Sequence, residues 1–360
     1  MNIKKQIKKI PFLFVPIRKI LQILDKFSYK FMKEGTKTTL YFGRIFKYPS
    51  RSSIGKLIKR GFIWDGGIIR FYAKILPKDS IVIEVGSNIA ASSIVISEFL
   101  PNSKLLLIEA SERYFNYCKL NTNHLKKENR IIDIIQKIIS NKANKLVKLQ
   151  TNHTTGTVLE SKDGYGYTTT SSGNYETETL DNLDLKYNLE EINLLKIDTD
   201  GYEIEVFEGA LNLINKYNPI IHTEFSPNSL ERNHKNGKDV LISLLKEIGI
   251  DTFYIHELDT GKYLGKATNL EEILELKGLD YYVDIICATP KSRYYKNLEE
   301  LYARENYFKN NWFKFLILIC FKDVLNQLGI LILVIMPLYL ISNFKVLLKF
   351  DESRSKLFLI

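Results

Sequence analysis

Short apolar runs and amphipathic segments alternate along the middle of this chain. The run at 81–85 (IVIEV) predicts a buried strand, and the small residues after it predict a tight turn that leads into a helix at 91–100. A second apolar run at 104–109 ends in a carboxylate, and an amphipathic segment follows at 111–125. Strand, helix, strand and helix at this spacing predict an α/β fold whose parallel sheet has right-handed crossovers.

Further apolar runs extend this sheet to about seven strands, mostly parallel, with helices on both faces. They lie at 131–139, at 192–198, at 219–225, at 252–256 and at 281–287. The stretch 145–180 is rich in Thr, Ser, Gly and Tyr, so it predicts a hairpin or a long loop over the carboxyl edge of the sheet. Acceptor sites form at that edge in folds of this kind.

The two ends of the chain differ from the middle in composition. Residues 1–34 interleave lysine pairs with apolar side chains and contain Pro11 and Pro16, which predicts a basic amphipathic arm rather than a signal peptide. A charged linker is predicted at 291–308, and a hydrophobic tail at 309–360. The longest apolar run of the tail, 328–341, has 14 residues and includes a proline. It is therefore short for a clean membrane span, and a monotopic or hairpin anchor is favoured over a single span or a buried dimer helix.

The net charge of +10 is located almost entirely at these two ends. Residues 1–34 carry nine Lys or Arg against two acids, and residues 309–360 carry seven against three, which leaves 10 − 7 − 4 = −1 for the segment between them. A nucleic-acid enzyme places positive charge around its active face, so nucleic acid is not an expected partner. Basic and apolar ends favour an anionic membrane surface, although terminal lysines that only keep the ends solvated remain an alternative.

Three cysteines, Cys118, Cys287 and Cys320, are scattered along the sequence without C-x-x-C spacing. They predict neither a disulfide framework nor a zinc site, and they favour a reducing, cytoplasmic setting. Nothing in the sequence predicts the oligomeric state.

The turn at 86–90 decides which nucleoside cofactor the fold suits. Gly86 is followed by Ser87 and Asn88, so the second glycine with which a dinucleotide-binding turn approaches a pyrophosphate is missing. S-adenosylmethionine has no pyrophosphate and needs only the first bend and free N–H groups at the helix start. Glu109 follows Gly86 by 23 positions, close to the spacing at which such folds place the acid that binds the ribose. We therefore expect S-adenosylmethionine rather than NAD.

Five segments together resemble the FkbM-type methyltransferases. They are VIEVGSNIA at 82–90, IEA at 108–110, ETLDNL at 178–183, LLKIDTDGYEIEVFEGA at 194–210 and HTEF at 222–225. The resemblance covers roughly residues 40–290, and we predict a methyltransferase domain at 35–290. It implies a Rossmann-like class I methyltransferase that uses S-adenosylmethionine to methylate a hydroxyl, often on a sugar or a glycan. The chain departs from the family pattern at Glu84, Ser87, Ala90 and Asp200, where Asp, Ala, Gly and Glu are usual.

Six residues are predicted to bind the cofactor. We expect Glu109 to accept hydrogen bonds from the ribose hydroxyls, Gly86 and Asn88 to shape the loop around the methionine part, and Glu84 to hold its ammonium directly or through water. The full set is Glu84, Gly86, Ser87, Asn88, Glu109 and Ala110. Ala90 is the departure most able to disturb this site, because its methyl group lies where helix and cofactor approach each other.

Methyl transfer from a sulfonium also requires removal of the acceptor's proton. The candidate residues are Asp198, Glu224 and His153, with Asp198 first because it ends a buried strand at the carboxyl edge. An alternative is that Asp198 only binds N–H groups of the turn near Gly201. His153 has a suitable basicity, but a lone histidine in a loop is usually only exposed. No histidine and carboxylate spacing requires a divalent cation, so no metal site is predicted.

These observations lead to one main hypothesis and two alternatives. The main hypothesis is an S-adenosylmethionine-dependent O-methyltransferase that acts on a hydroxyl of a sugar, glycan or glycolipid at the cytoplasmic face of a membrane. The first alternative is methylation of a small cytosolic or lipid-linked metabolite. The second is a membrane-bound module without catalytic activity, whose cofactor pocket has degenerated.

Overall fold

A computed structural model describes residues 35–151, 156–159, 172–258, 260–268, 282–306, 348–351 and 356–359. The chain divides into two compact units, Met1–Ala303 and Arg304–Ile360. In the second unit the described residues form an antiparallel pair of strands, Leu348–Asp351 and Lys356–Leu359. The predicted arm at 1–34 and the apolar run at 328–341 lie outside the described residues.

The first unit alternates short strands and helices. Its described strands are β1 (Thr36–Tyr41), β2 (Arg44–Pro49), β3 (Ile81–Val85), β4 (Lys104–Ile108), β5 (Ile131–Ile135), β6 (Ile138–Ile139), β7 (Leu146–Thr151), β8 (Gly156–Leu159), β9 (Ser172–Glu178), β10 (Leu194–Ile197), β11 (Ile220–Phe225), β12 (Phe253–Glu257), β13 (Tyr263–Ala267) and β14 (Val283–Cys287). Its helices include α1 (Ser53–Lys59), α2 (Gly66–Tyr72), α3 (Ala91–Phe99), α4 (Glu112–Lys127), α5 (Leu180–Tyr187), α6 (Glu203–Glu208), α7 (Leu211–Tyr217), α8 (Pro227–Asn233) and α9 (Gly237–Glu247).

The central sheet has eight strands in the order β13-β12-β14-β11-β10-β3-β4-β5. Strands β11, β10, β3, β4 and β5 are parallel to their neighbours in this series, whereas β14 is antiparallel to both β11 and β12. The predicted α/β class and the mostly parallel sheet are therefore confirmed. The strand beyond the expected seven is β13, which pairs antiparallel with β12 at the edge.

Helices cover both faces of this sheet, which is why β3, β4 and β10 are apolar on both sides. On one face Ile83, Leu106 and Leu195 pack with side chains of α5 to α9. On the other face Val82 and Leu105 pack with side chains of α1 to α4. Because both faces are buried, the polar side chains of the central strands are concentrated at their carboxyl ends and in one interior row.

A second sheet of four strands, in the order β6-β9-β7-β8, occupies much of the region predicted as a hairpin or long loop at 145–180. Its strands β7 and β8 form the hairpin, and β7 also pairs with β9. The single strand predicted at 131–139 is in fact two, since β5 belongs to the central sheet and β6 to the second one. One apolar run therefore connects the two sheets.

The predicted charged linker at 291–308 contains a helical segment that begins at residue 295, and its residues 295–303 pack as part of the first unit's core. Leu298 and Tyr302 are four positions apart and both are buried, so they share one helical face, and charged residues such as Glu300 face outwards. The Tyr302 ring stacks on Phe71 and Tyr254 at centroid distances of 5.4 and 4.0 Å. The many charged residues of this segment led to the prediction of a linker, although its apolar residues form one face of a helix.

The described residues also bear on membrane crossing and on the state of two cysteines. Among the described residues, no helix has the length and apolar character that crossing a bilayer requires. Cys118 and Cys287 are free thiols buried in the core.

Candidate functional site

A cavity of about 330 Å³ opens at the carboxyl ends of β3, β4, β10 and β11. The second sheet contributes Ile138, Ile139 and Leu149 to its wall, so this sheet does lie at the carboxyl edge. The cavity brings together most of the residues that the sequence predicts for the site, namely Gly86, Ser87, Asn88, Glu109, Ala110, Asp198 and Glu224. His153 lies outside the described residues.

The turn after β3 places backbone N–H groups at the cavity. Gly86 has a φ of +86°, and a Cβ built on it would lie 1.8 Å from the carbonyl oxygen of Asp198. Only glycine allows the two loops to approach so closely. Asn88 and Ala90 also have positive φ, at 48° and 63°. Ala90 is fully buried in the core and does not line the cavity, so its methyl group lies beneath the turn.

Glu109 ends β4 at the wall of the cavity. Its Oε2 accepts a hydrogen bond from the backbone N–H of Asn88 at 2.8 Å, and its Oε1 accepts one from Ser111 at 2.8 Å. Burial raises the pKa of Glu109 to about 7, against the effect of these two hydrogen bonds. Each carboxylate oxygen has a further lone pair, so Glu109 can accept hydrogen bonds from a pair of hydroxyls.

Glu84, predicted to hold the ammonium of the cofactor, does not line the cavity. Its carboxylate accepts a hydrogen bond from Ser93 Oγ in α3 and lies 3.9 Å from the ammonium of Lys196. Burial raises the pKa of Glu84 to about 7, while Lys196 and Ser93 lower it. Glu84 could therefore affect a ligand in the cavity only through another residue.

Lys196 is a site residue that the sequence reasoning missed. It lies inside β10 with its side chain 2% exposed, and its Nζ is 2.9 Å from Asp198 Oδ2 and 3.4 Å from Asp65 Oδ2. Asp65 lines the cavity and also accepts a hydrogen bond from Ser92 Oγ at 2.6 Å. The sequence does contain a signal for this residue, because a lysine inside an apolar run (LLKID) is charged and needs buried partners of opposite charge.

Asp198 and Glu224 lie at the ends of adjacent strands, and their pKa values are shifted in opposite directions. Burial would raise the pKa of Asp198, but the charge of Lys196 and its hydrogen bond outweigh burial, so the pKa lies below its usual value. Burial and the nearby charge of Asp198 hold the pKa of Glu224 well above its usual range. Of the two carboxyls, Glu224 therefore keeps its proton to the higher pH, and Asp198 ionises first.

The alternative role considered for Asp198, binding the N–H groups of the turn near Gly201, belongs to Glu203. Its Oε1 accepts hydrogen bonds from the backbone N–H of Thr199 at 2.9 Å and from that of Gly201 at 3.3 Å. The Asp198 carboxylate is therefore directed to Lys196 and the cavity. His222, also on β11, is buried with its Nε2 3.3 Å from Asp284 Oδ1.

The cavity suits a cationic ligand that carries hydroxyl groups. Its volume falls within the roughly 300–1,000 Å³ that is usual for small-molecule sites. Its polar side chains include the carboxyls of Asp65, Glu109, Asp198 and Asp200 against one lysine, Lys137. S-adenosylmethionine fits this set, because its sulfonium and ammonium are positive and its ribose donates hydrogen bonds. Within the described residues, no group of three or more His, Cys, Asp or Glu side chains is arranged to hold a metal ion.

About half of the chain matches the model of a known protein family. Residues 84–258 match the family model described as the methyltransferase FkbM domain. No curated protein sequence matches the chain.

Solved methyltransferase structures are similar to this fold at low sequence identity. A methyltransferase FkbM from Methylobacillus flagellatus is 9% identical, covers 63% of this chain and 49% of its own, and gives a TM-score of 0.39. An O-methyltransferase from Bacillus cereus, solved in complex with SAH, is 13% identical over 62% of this chain and 80% of its own, with a TM-score of 0.36. A precorrin-6y C5,15-methyltransferase from Geobacter metallireducens is 12% identical over 62% of this chain and 86% of its own, with a TM-score of 0.32.

Proposed function

Because residues 84–258 are an FkbM methyltransferase domain, whose methyl donor is S-adenosylmethionine, we propose that this protein methylates a hydroxyl of a sugar, glycan or glycolipid at the cytoplasmic face of a membrane. The observation that supports oxygen as the acceptor is the carboxyl pair of Asp198 and Glu224 at the cavity. An alcohol must lose a proton when it is methylated, and a carboxylate beside the donor pocket can take it.

The donor is held by residues of the first half of the domain. Glu109 accepts hydrogen bonds from the ribose hydroxyls, and the backbone at Gly86 to Asn88 surrounds the methionine part. Ala110 and Ser87 line the same wall. When bound, the donor supplies a methyl group on a positively charged sulfur that leaves as a neutral thioether.

Asp198 accepts the proton of the acceptor hydroxyl as the new carbon–oxygen bond forms and the carbon–sulfur bond breaks. A carboxylate with a low pKa is sufficient here, because the hydroxyl becomes strongly acidic once its oxygen begins to share electrons with the methyl carbon. The opposite pKa shifts of the two carboxyls favour negative charge on Asp198, the residue nearest to Lys196, over negative charge on Glu224. The proton balance of the step is then one proton moved from the acceptor oxygen to Asp198.

A membrane-associated acceptor is supported by the ends of the chain rather than by the cavity. The basic and apolar residues at 1–34 and 309–360 would hold the protein at an anionic surface, while the domain between them carries almost no net charge. A glycolipid or a growing glycan presents its hydroxyls at such a surface.

The test is to incubate the protein with S-adenosylmethionine labelled in its methyl group and with fractionated glycans, lipids and small metabolites of the cell. We expect label in the glycan or glycolipid fraction, in a bond that resists the base treatment that cleaves methyl esters. Asp198→Asn should lower kcat by about 10²- to 10⁴-fold, with little change in the dissociation constant of the donor measured by calorimetry.

Two results would count against the proposal. Label recovered only in small metabolites would favour a soluble acceptor, and an Asp198→Asn variant with unchanged kcat would remove Asp198 as the base. Absence of donor binding to the wild-type protein would contradict the enzymatic function altogether.

A further inference from the structure

A row of polar side chains crosses the interior of the central sheet beneath the cavity. Lys196 on β10 is in register with Glu84 on β3 and with His222 on β11, so the three lie side by side on one face of the sheet. All three are buried, with at most 2% of each residue exposed. Asp198 and Glu224 occupy the next positions on the same face, two residues nearer to the carboxyl edge.

Among the residues whose side-chain burial the structure describes, Lys196 is the only lysine or arginine that is buried in this way. Removing an ammonium from water costs several kcal/mol, and such a charge persists only with close partners. Its Nζ has three carboxylates around it, at 2.9 Å (Asp198), 3.4 Å (Asp65) and 3.9 Å (Glu84). The shortest of these contacts is the hydrogen bond to Asp198.

The three carboxylates differ in what they can reach. The side chain of Glu84 is 1% exposed and does not line the cavity. Asp65 and Asp198 both line the cavity, but their side chains are 7% and 34% exposed. A lysine with only a structural role could be neutralised by Asp65 and Glu84 alone. Instead its closest contact is with the most exposed of the three carboxylates.

We propose that Lys196 is a positioning residue for methyl transfer, which fixes the Asp198 carboxylate at the cavity in its ionised form and so lets it take the acceptor's proton. This inference rests on the proposed function. Asp65 and Glu84 have the supporting role of holding the ammonium in place, and Ser92 and Ser93 donate hydrogen bonds to these two carboxylates.

The charge of Lys196 matters because Asp198 is otherwise surrounded by acids. The titratable and charged groups that face this pair come from every neighbouring element: Asp65, Tyr72, Glu84, Glu109, Asp200, Glu203, His222, Glu224 and Asp284. Without the ammonium, burial would raise the pKa of Asp198 against the smaller effects of His222 and of the hydrogen bond with Glu224. With it, the pKa of Asp198 is lowered, while that of Glu224 is raised.

The experiment compares the pH dependence of wild type with that of Lys196→Met, which removes the charge and keeps an unbranched side chain. The profile is measured as kcat/KM for the acceptor at saturating S-adenosylmethionine, so that Glu109 does not limit donor binding. We expect its acid limb to move to higher pH by about 1–3 units, the range in which a neighbouring cation lowers the pKa of an acid. Donor affinity above this limb should change by less than about threefold. Lys216→Met is the matched control, because Lys216 is exposed and forms an ion pair with the buried Asp184 at 2.9 Å, away from the cavity lining.

A second readout is independent of methyl transfer. Carbon-13 NMR of the aspartate carboxyls, with the Asp198 signal assigned through Asp198→Asn, should show Asp198 titrating below the ordinary value of about 3.9 in wild type and well above it in Lys196→Met. If Lys196→Met does not fold, the wild-type titration alone decides the question.

An Asp198 signal that titrates at or above the ordinary value in wild type would overturn the inference, and so would an unmoved acid limb in a folded Lys196→Met. A protein that binds no S-adenosylmethionine but shows the low titration of Asp198 would instead contradict the proposed function and leave the contact between Lys196 and Asp198 established.

Discussion

At the scale of single residues, Glu109 combines a binding role with a shifted titration. Two backbone N–H groups fix its carboxylate, and burial raises its pKa to about 7. Ribose hydroxyls donate hydrogen bonds, so they prefer the ionised form of the carboxylate. Donor affinity should therefore be complete above pH 7 and fall as the pH decreases through about 7.

Calorimetry with S-adenosylmethionine from pH 6 to pH 8 tests this prediction, and we expect affinity to change by up to about tenfold per pH unit below the pKa. Glu84 has a pKa raised to a similar value, so a control is needed. Glu109→Gln should bind the donor more weakly and lose the pH dependence. A variant that keeps the wild-type dependence would assign the effect to Glu84 or another group.

Residue by residue, the sequence predicted the parts of the site that lie close together along the chain. Gly86, Asn88 and Glu109 follow from one turn and one strand end. Lys196 and Asp65 could not be found in this way, because they are 131 positions apart and meet only through the sheet and α2. The role of Ala90 also needed the structure, since only its position beneath the turn shows that its methyl group points away from the cavity.

At the scale of elements, the turn between β3 and α3 lies so close to the carbonyl oxygen of Asp198 that it requires a glycine at position 86. Gly86→Ala would combine a positive φ with a Cβ 1.8 Å from the Asp198 carbonyl oxygen. We expect it to destabilise the fold by at least about 3 kcal/mol and to abolish donor binding, because the loops after β3 and β10 must separate.

Gly43 provides a matched control for this substitution. It has a φ of +73° in the turn between β1 and β2, and a Cβ built on it meets nothing within 4 Å. Gly43→Ala should therefore cost only the backbone strain of about 1 kcal/mol. Thermal unfolding of the two variants separates steric contact from strain, and equal losses would mean that the approach to Asp198 is unimportant.

The sequence correctly predicted the elements in which apolar and polar residues keep a single pattern from end to end. Strands β3, β4, β10 and β11 are apolar runs that end in turns or carboxylates, and α4 has one buried face. Prediction failed where one pattern served two elements, as at 131–139, and where charge concealed an apolar face, as at 295–306. In both cases tertiary packing, rather than local pattern, decides the structure.

At the scale of the whole molecule, membrane association stays a prediction from the sequence. Deleting residues 309–360 should shift the protein from vesicles that contain anionic lipid to the soluble fraction, because these residues carry the longest apolar run and a net charge of +4. Flotation with neutral and anionic vesicles is the measurement. If the shortened protein still floats, deletion of residues 1–34 should release it, and flotation of the doubly shortened protein would contradict attachment through the ends.

The order of strands in the central sheet has a consequence for synthesis on the ribosome. Strand β14 is the last of this sheet to be made, yet it lies between β11 and β12 and provides hydrogen bonds to both. Until residue 287 has emerged, β12 and β13 have no place in the sheet, so the nascent chain carries an open edge at β11. Translation must therefore run nearly to residue 309 before the domain can close, which brings the end of folding and the emergence of the segment predicted to bind a membrane close together in time.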